Sequence, residues 1–171
     1  MTVSAHLGLG SNLGDRLANL QRAVDRLGET LGVEVVRSSR VYETVPVGGP
    51  RQPDYLNAVV EVATELAPVE LLRACQRIER ELGRLRAVRW GPRTVDVDVL
   101  TYGHEEVHQD DLEVPHPRMH ERGFVLLPLL ELDADPPLPG GRRVGDLRLG
   151  ALALGGVRVF APPLVVAASR T

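Results

Sequence analysis

Lysine is absent from this chain: all 20 basic residues are arginine. That excludes a P-loop lysine and the strand lysine of protein kinases. The habit fits a GC-rich genome, as do the many Ala, Gly and Pro residues. Its chemical consequence is that any phosphate must be handled by metal ions and guanidinium groups. Cysteine is nearly absent too, and a single Cys75 excludes a disulfide framework and a zinc–cysteine cluster. Aromatic residues make up only 4% of the chain, so each is worth weighing singly. No apolar run approaches the length of a membrane span, and the N-terminus lacks a charged-then-apolar leader pattern. The expectation is a cytoplasmic protein without membrane contact. A net charge of −3 argues against a general nucleic-acid binder.

What is present is an ordinary globular composition of one-domain size, 43% hydrophobic and 25% charged over 171 residues. Val3 to Leu9 reads as a strand. Leu13, Leu17, Leu20, Val24, Leu27 and Leu31 then recur at helical spacing, with Asn12 or Asp15 as the cap and Gly32 as the stop. Gly32 to Tyr42 alternates as a second strand. Thr44 to Pro53 is a Pro- and Gly-rich loop, and Tyr55 to Val62 a third strand. Pro68 suits the first position of a helix that carries Val69, Leu72, Cys75, Ile78 and Leu82 and stops at Gly83. Leu85 to Pro92 is a basic loop, and Thr94 to Tyr102 a fourth strand. The order β-α-β-β-α-β predicts an α+β, ferredoxin-like fold: a four-stranded antiparallel sheet with both helices on one face. After Gly103 a polar stretch leads to a short helix over Phe124 to Leu132, despite Pro128. Such C-terminal helices and strands would extend the core within one domain over 1–171. The stretch 151–171 is of uncertain structure, a weakly alternating extra strand or a tail.

The densest chemistry lies in Arg89-Trp90-Gly91-Pro92-Arg93-Thr94-Val95-Asp96-Val97-Asp98-Val99-Leu100. Along the strand Val95, Val97 and Val99 point one way, Asp96 and Asp98 the other. Aspartate is a poor strand former. Two carboxylates about 7 Å apart on one face repel unless a cation sits between them. Two aspartates beside arginines make a metal-and-phosphate arrangement, and carboxylate with phosphate and water suits magnesium. Arg73, Arg77, Arg80 and Arg84 have helical spacing and read mostly as a solvated face. Arg84, Arg86, Arg89 and Arg93 flank the aspartate strand, where guanidinium can grip phosphate by two hydrogen bonds. Gly8-Leu9-Gly10-Ser11-Asn12-Leu13-Gly14 is off-register for a dinucleotide fingerprint, and reads as a strand-to-helix turn that needs glycine backbone angles. His116, held between two prolines, is balanced between a structural and a functional reading. Tyr55, Trp90 and Phe124 are more often core than ligand contact, though a flat heterocycle would want such faces. On these residues alone, a small-ligand-binding module and a metal-dependent phosphodiesterase stand as rivals to a phosphotransferase.

With these motifs in order, the chain resembles the 6-hydroxymethyl-7,8-dihydropterin pyrophosphokinase family over roughly Val3 to Leu147. The twelve-residue segment is the specific carrier. Gly10 to Gly14, Pro53 to Asn57, Gln76 to Glu79, and Val114-Pro115-His116 through Arg122-Gly123-Phe124 support it. The resemblance implies transfer of the β,γ-diphosphate of ATP to the pterin hydroxymethyl group, with release of AMP, in folate biosynthesis. It implies two Mg2+ ions held by Asp96 and Asp98, and catalytic arginines at Arg84 and Arg93. ATP would meet Gln76, Glu79, Trp90, Arg93, His116 and Arg122. The pterin would lie between Tyr55 and Phe124, hydrogen-bonded by Asn57 and closed by the backbone at Thr44, Val45 and Val47. A monomer whose partners are these two small molecules is expected. Ala87 stands where some relatives carry lysine, Pro117 where some carry tyrosine, and the stretch after Gly150 has no counterpart.

Overall fold

The computed structural model describes residues 1–45, 53–83, 94–147 and 156–167. The main elements are β1 (Val3–Ser11), α1 (Arg16–Glu29), β2 (Val33–Ser38), β3 (Val41–Thr44), β4 (Tyr55–Thr64), α2 (Pro68–Gly83) and β5 (Asp96–Tyr102). A hairpin of β6 (Val107–Gln109) and β7 (Leu112–Val114), helix α3 (Gly123–Leu132) and β8 (Val157–Ala161) follow. The large sheet runs β5-β1-β4-β3-β8, with β2 also against β4, and every pairing is antiparallel. The β-α-β-β-α-β order holds, with the expected second strand broken in two. Among the described residues no helix is long and apolar enough to cross a membrane.

The break has a local cause. Register slips between Val35 and Arg37, and again between Ser38↔Val60 and Tyr42↔Asn57, where four steps on one strand face three on the other. Each slip inserts one residue and reverses which side chains face the helices. Between the two, Arg37 is turned to the α3 side, where it donates to Glu61 at 2.8 Å and to the Leu132 carbonyl at 2.6 Å. Beyond both, alternation is restored, and Val33, Val35 and Val41 share one core. Ser39 bridges the gap: its N–H donates to the Val59 carbonyl, and its hydroxyl accepts the Val59 N–H.

Helices α1 and α2 cover one face, with Leu20, Leu27, Leu71 and Ile78 packed on Leu7, Val60 and Val62. Asp15 caps α1, its carboxylate accepting the Ala18 N–H at 3.1 Å. Three leucines expected on the α1 core face are not there, the first being Leu13, which precedes the Asp15 cap. Leu17 lies at the stripe's edge, 37% exposed, and Leu31 follows the Thr30 C-cap, 94% exposed. Buried Asn19 takes part of that face, donating to the Leu13 carbonyl. On the other face α3 builds a second core, in which Leu126, Leu129 and Met119 meet Val59 and Leu100. Glu131 ties α3 to the β3 end of the sheet, accepting from Arg40 at 2.8 Å and from the Tyr42 hydroxyl at 3.0 Å. The polar stretch after Gly103, to which no element was assigned from sequence, contains the β6–β7 hairpin, and the weakly alternating tail contributes β8.

His6 is 5% exposed on the α3 side of β1, with Nδ1 2.8 Å from the Thr101 hydroxyl and Nε2 without a partner among the described residues. Burial pushes its pKa below the usual histidine value, although Glu61 and Asp133 pull upward. Below pH ~6.5 the unfolded chain therefore binds a proton that the folded chain refuses, so stability falls as pH drops, by up to about 1.4 kcal/mol per pH unit for each such histidine. Urea melts between pH 7.5 and 5 should show this decline, and His6→Asn should flatten it. An unchanged slope in that variant would contradict the assignment.

Candidate active site

The middle strand of the α3 face has no side chains where the site opens. Gly8 of β1 lies between Asp98 of β5 and Val59 of β4. Gly10 lies between Asp96 of β5 and Asn57 of β4. With strands about 4.8 Å apart, the carboxylates look across roughly 10 Å of bare backbone toward the amide. A Cβ at Gly10 would sit 3.1 Å from Asn57 Oδ1, and one at Gly8 3.4 Å from a Leu100 methyl. Neither glycine has a positive φ; Gly14, at 67°, is the one in the turn. The expectation that the Gly8–Gly14 run serves backbone angles is therefore corrected for its first two glycines, which serve space.

A cavity of about 740 Å³ stands on this floor. It brings together Thr44, Val45, Tyr55, Asn57, Asp96, Asp98, His116, Arg122 and Phe124. The valine side of β5 is buried as alternation predicts, and Asp96 and Asp98 open to the cavity. Arg84, Trp90, Arg93 and Val47 lie outside the described residues. Gln76 and Glu79 are not part of the described wall. Gln76 accepts from Arg73 at 2.9 Å on the outer side of α2. Glu79 reaches under β5 and accepts the Val97 N–H at 3.2 Å, between the two aspartates. Sequence reasoning missed Glu121, Gly156 and Val157 in the wall. Only the tail's weak alternation hinted at the last two.

Polar groups in the cavity are oriented by neighbours. Asn57 Nδ2 donates to the Thr44 hydroxyl at 3.0 Å, which turns its carbonyl oxygen toward the floor at Gly10. The Val45 N–H donates to the Gly156 carbonyl at 3.1 Å, which fixes the backbone at this edge of the cavity. His116 Nδ1 accepts the Arg118 N–H at 3.3 Å, which leaves Nε2 as the ring's donor. Burial lowers the His116 pKa against an upward pull from Asp98, so the ring is neutral near pH 7. The Arg122 guanidinium lies 5.8 Å from the Phe124 ring centroid. Beneath β5 the buried Cys75 thiol is pushed up to about 12, first by burial and then by Glu79 and Asp98.

Among the described residues no group of three or more His, Cys, Asp or Glu side chains gathers as a full ligand set. Two strand carboxylates open to a cavity fit an ion that takes its other oxygens from phosphate and water, which is magnesium's usual mode.

The family described as 7,8-dihydro-6-hydroxymethylpterin-pyrophosphokinase matches residues 6–134. The chain belongs to this family. The family catalyses pyrophosphoryl transfer from ATP to hydroxymethyldihydropterin in folate biosynthesis. The chain is 52% identical over 128 residues to a 2-amino-4-hydroxy-6-hydroxymethyldihydropteridine pyrophosphokinase of Bacillus subtilis, covering 75% of this chain and 77% of that one. It is 41% identical over 145 residues to the protein of that name from Haemophilus influenzae, covering 85% and 91%. Wild-type Plasmodium falciparum HPPK-DHPS superposes with a TM-score of 0.57 at 16% identity, covering 76% of this chain and 39% of that longer one. At that identity the likeness speaks for the fold alone, and it agrees with the α+β architecture above.

Two outcomes follow for this pyrophosphokinase-family site. Gly10→Ala should fold but lower kcat/KM about tenfold by pressing on Asn57 and narrowing the floor. Gly28→Ala, whose Cβ meets nothing within 4 Å, should leave it unchanged; equal activities would contradict the spacing argument. Cys75 should resist iodoacetamide in the folded protein at pH 8 and react after denaturation, as read by mass spectrometry.

Proposed function

We propose that ATP and the pterin occupy opposite ends of this cavity, and that transfer depends on magnesium held by Asp96 and Asp98. The row Asp96–Gly10–Asn57 carries the reading: it sets a carboxylate for a cation and an amide for a heterocycle on one face, with no side chain between. The amide end has what a pterin needs. Asn57 offers both a donor and an acceptor, Tyr55 and Phe124 offer flat faces, and Thr44 and Val45 close the side. A phosphodiesterase would have no use for that end.

At the acidic end the chain contributes Asp96 and Asp98 to the metal ions, Arg122 as a counter-charge, and His116 as a neutral N–H donor to a phosphate oxygen. Magnesium, when bound, would draw the phosphate oxygens to the aspartates and offset charge on the attacking and leaving oxygens. Glu79 would act by holding the Val97 backbone, and so the spacing of the two aspartates. Arg84 and Arg93 take the diphosphate, and Trp90 and Gln76 the nucleotide, by resemblance to the family's motif. In the transfer, the pterin hydroxyl oxygen attacks the β-phosphorus. The bond from that phosphorus to the α,β-bridging oxygen breaks, AMP leaves with that oxygen, and the hydroxyl gives up its proton.

Incubation of the protein with ATP, magnesium and 6-hydroxymethyl-7,8-dihydropterin should yield AMP and the pterin diphosphate in equal amounts. ATP consumed without pterin product would sink the assignment. Asp96→Ala and Asp98→Ala should each cut turnover at least about a hundredfold while circular dichroism stays native. Chelation of divalent ions should stop the wild-type reaction, and added magnesium should restore it.

A further inference from the structure

Strand β8 lies beyond the family match, which ends at residue 134. It nevertheless forms cavity wall, through Gly156 and Val157 beside Val45. The segment 156–165 is fastened at three points. At the cavity, the Val45 N–H donates to the Gly156 carbonyl at 3.1 Å, and Thr44 pairs in register with Val157. In the middle, Arg158 pairs with Glu43, while Arg16 from the start of α1 holds the same carboxylate at 2.9 Å. At the far end Leu164 enters the main core, and Gln21 of α1 and Val165 exchange two hydrogen bonds of 2.9 Å.

The central clamp is the informative part. Glu43 is 7% exposed, and a carboxylate so placed is costly unless its oxygens are met by donors. Both are met, one by each arginine. Arg16 also donates to the Asp54 carbonyl at 2.8 Å, next to Tyr55, and lies 5.5 Å from the Phe160 ring centroid. One guanidinium thus links β3, the entry to β4, and β8. Without β8, β3 would be a sheet edge, and Thr44 and Val45 would be its fraying end.

We propose that segment 156–165 is a positioning element for the pterin: through the Arg158–Glu43–Arg16 clamp it fixes the Thr44–Val45 backbone and supplies Val157 as the outer wall, and so sets how tightly the heterocycle is held. This rests on the assignment of the amide end of the cavity to the pterin. Arg158 touches no substrate and acts through Glu43.

The test uses the full chain and two separate titrations, 6-hydroxymethylpterin followed by its own fluorescence and ATP with magnesium by calorimetry. Arg158→Met should weaken pterin binding about tenfold, and Arg158→Lys should restore most of it. Val157→Ala should weaken it as well. ATP affinity should stay within about twofold, and in turnover the pterin KM should rise with kcat little changed. Wild-type pterin affinity in both Arg158→Met and Val157→Ala, or an equal loss for ATP, would overturn the proposal. Absence of pterin binding by the unaltered protein would instead remove the pterin assignment, and this inference with it.

Discussion

The site depends on one constraint: the strand between the two aspartates and Asn57 carries no side chains at Gly8 and Gly10. Antiparallel pairing sets Asp98, Gly8 and Val59 in one row and Asp96, Gly10 and Asn57 in the next. Any β-carbon in the second row would press on the amide oxygen. The fold therefore gives up side-chain packing in a central strand, where glycine weakens the sheet, and gains an open floor for the cavity. Around it the side chains are crowded. Leu100 and Val59 close the inner end with α3, and the helices on the opposite face supply the core that keeps the register from slipping.

Charge is organised on the same floor. Asp96 and Asp98 face the cavity, and Glu79 holds their strand through the Val97 N–H. A chain without lysine has guanidinium as its permanently charged cationic side chain, and under the proposed function this meets phosphate together with metal and the His116 N–H. Guanidinium also does the structural tying: Arg37 anchors α3 to a bulge, Arg40 joins it to the β3 end, and Arg158 fastens β3 to the tail. The planar fork serves both uses because it donates in several directions without losing its charge.

Much was legible in the pattern of residues. Alternation at Val95, Val97 and Val99 placed the aspartates on the open face, because a strand's side-chain period is two whatever surrounds it. Asp15 and Pro68 marked helix starts by local hydrogen-bond chemistry that needs no tertiary contact. Leu17 and Leu31 were misplaced because periodicity does not say where the apolar stripe ends or where the helix stops. The break at Ser39 escaped notice because a bulge is defined by the partner strand's residue count, which is not written in the bulged strand. Gln76 and Glu79 fell inside a matching motif, yet the cavity wall as described omits them, and Glu79 turns to a backbone N–H.

By itself the sequence determined the element order, the two-faced aspartate strand and the resemblance that led to the family, since all three are local or fixed-spacing properties. Only the tertiary structure decided that Gly8 and Gly10 are floor and not turn, that Thr44 orients Asn57, and that β8 closes the cavity from 113 residues beyond Thr44 in the paired register Thr44↔Val157. These depend on which strands become neighbours. That choice is made by burial summed over both faces of the sheet, which no single stretch of the chain contains.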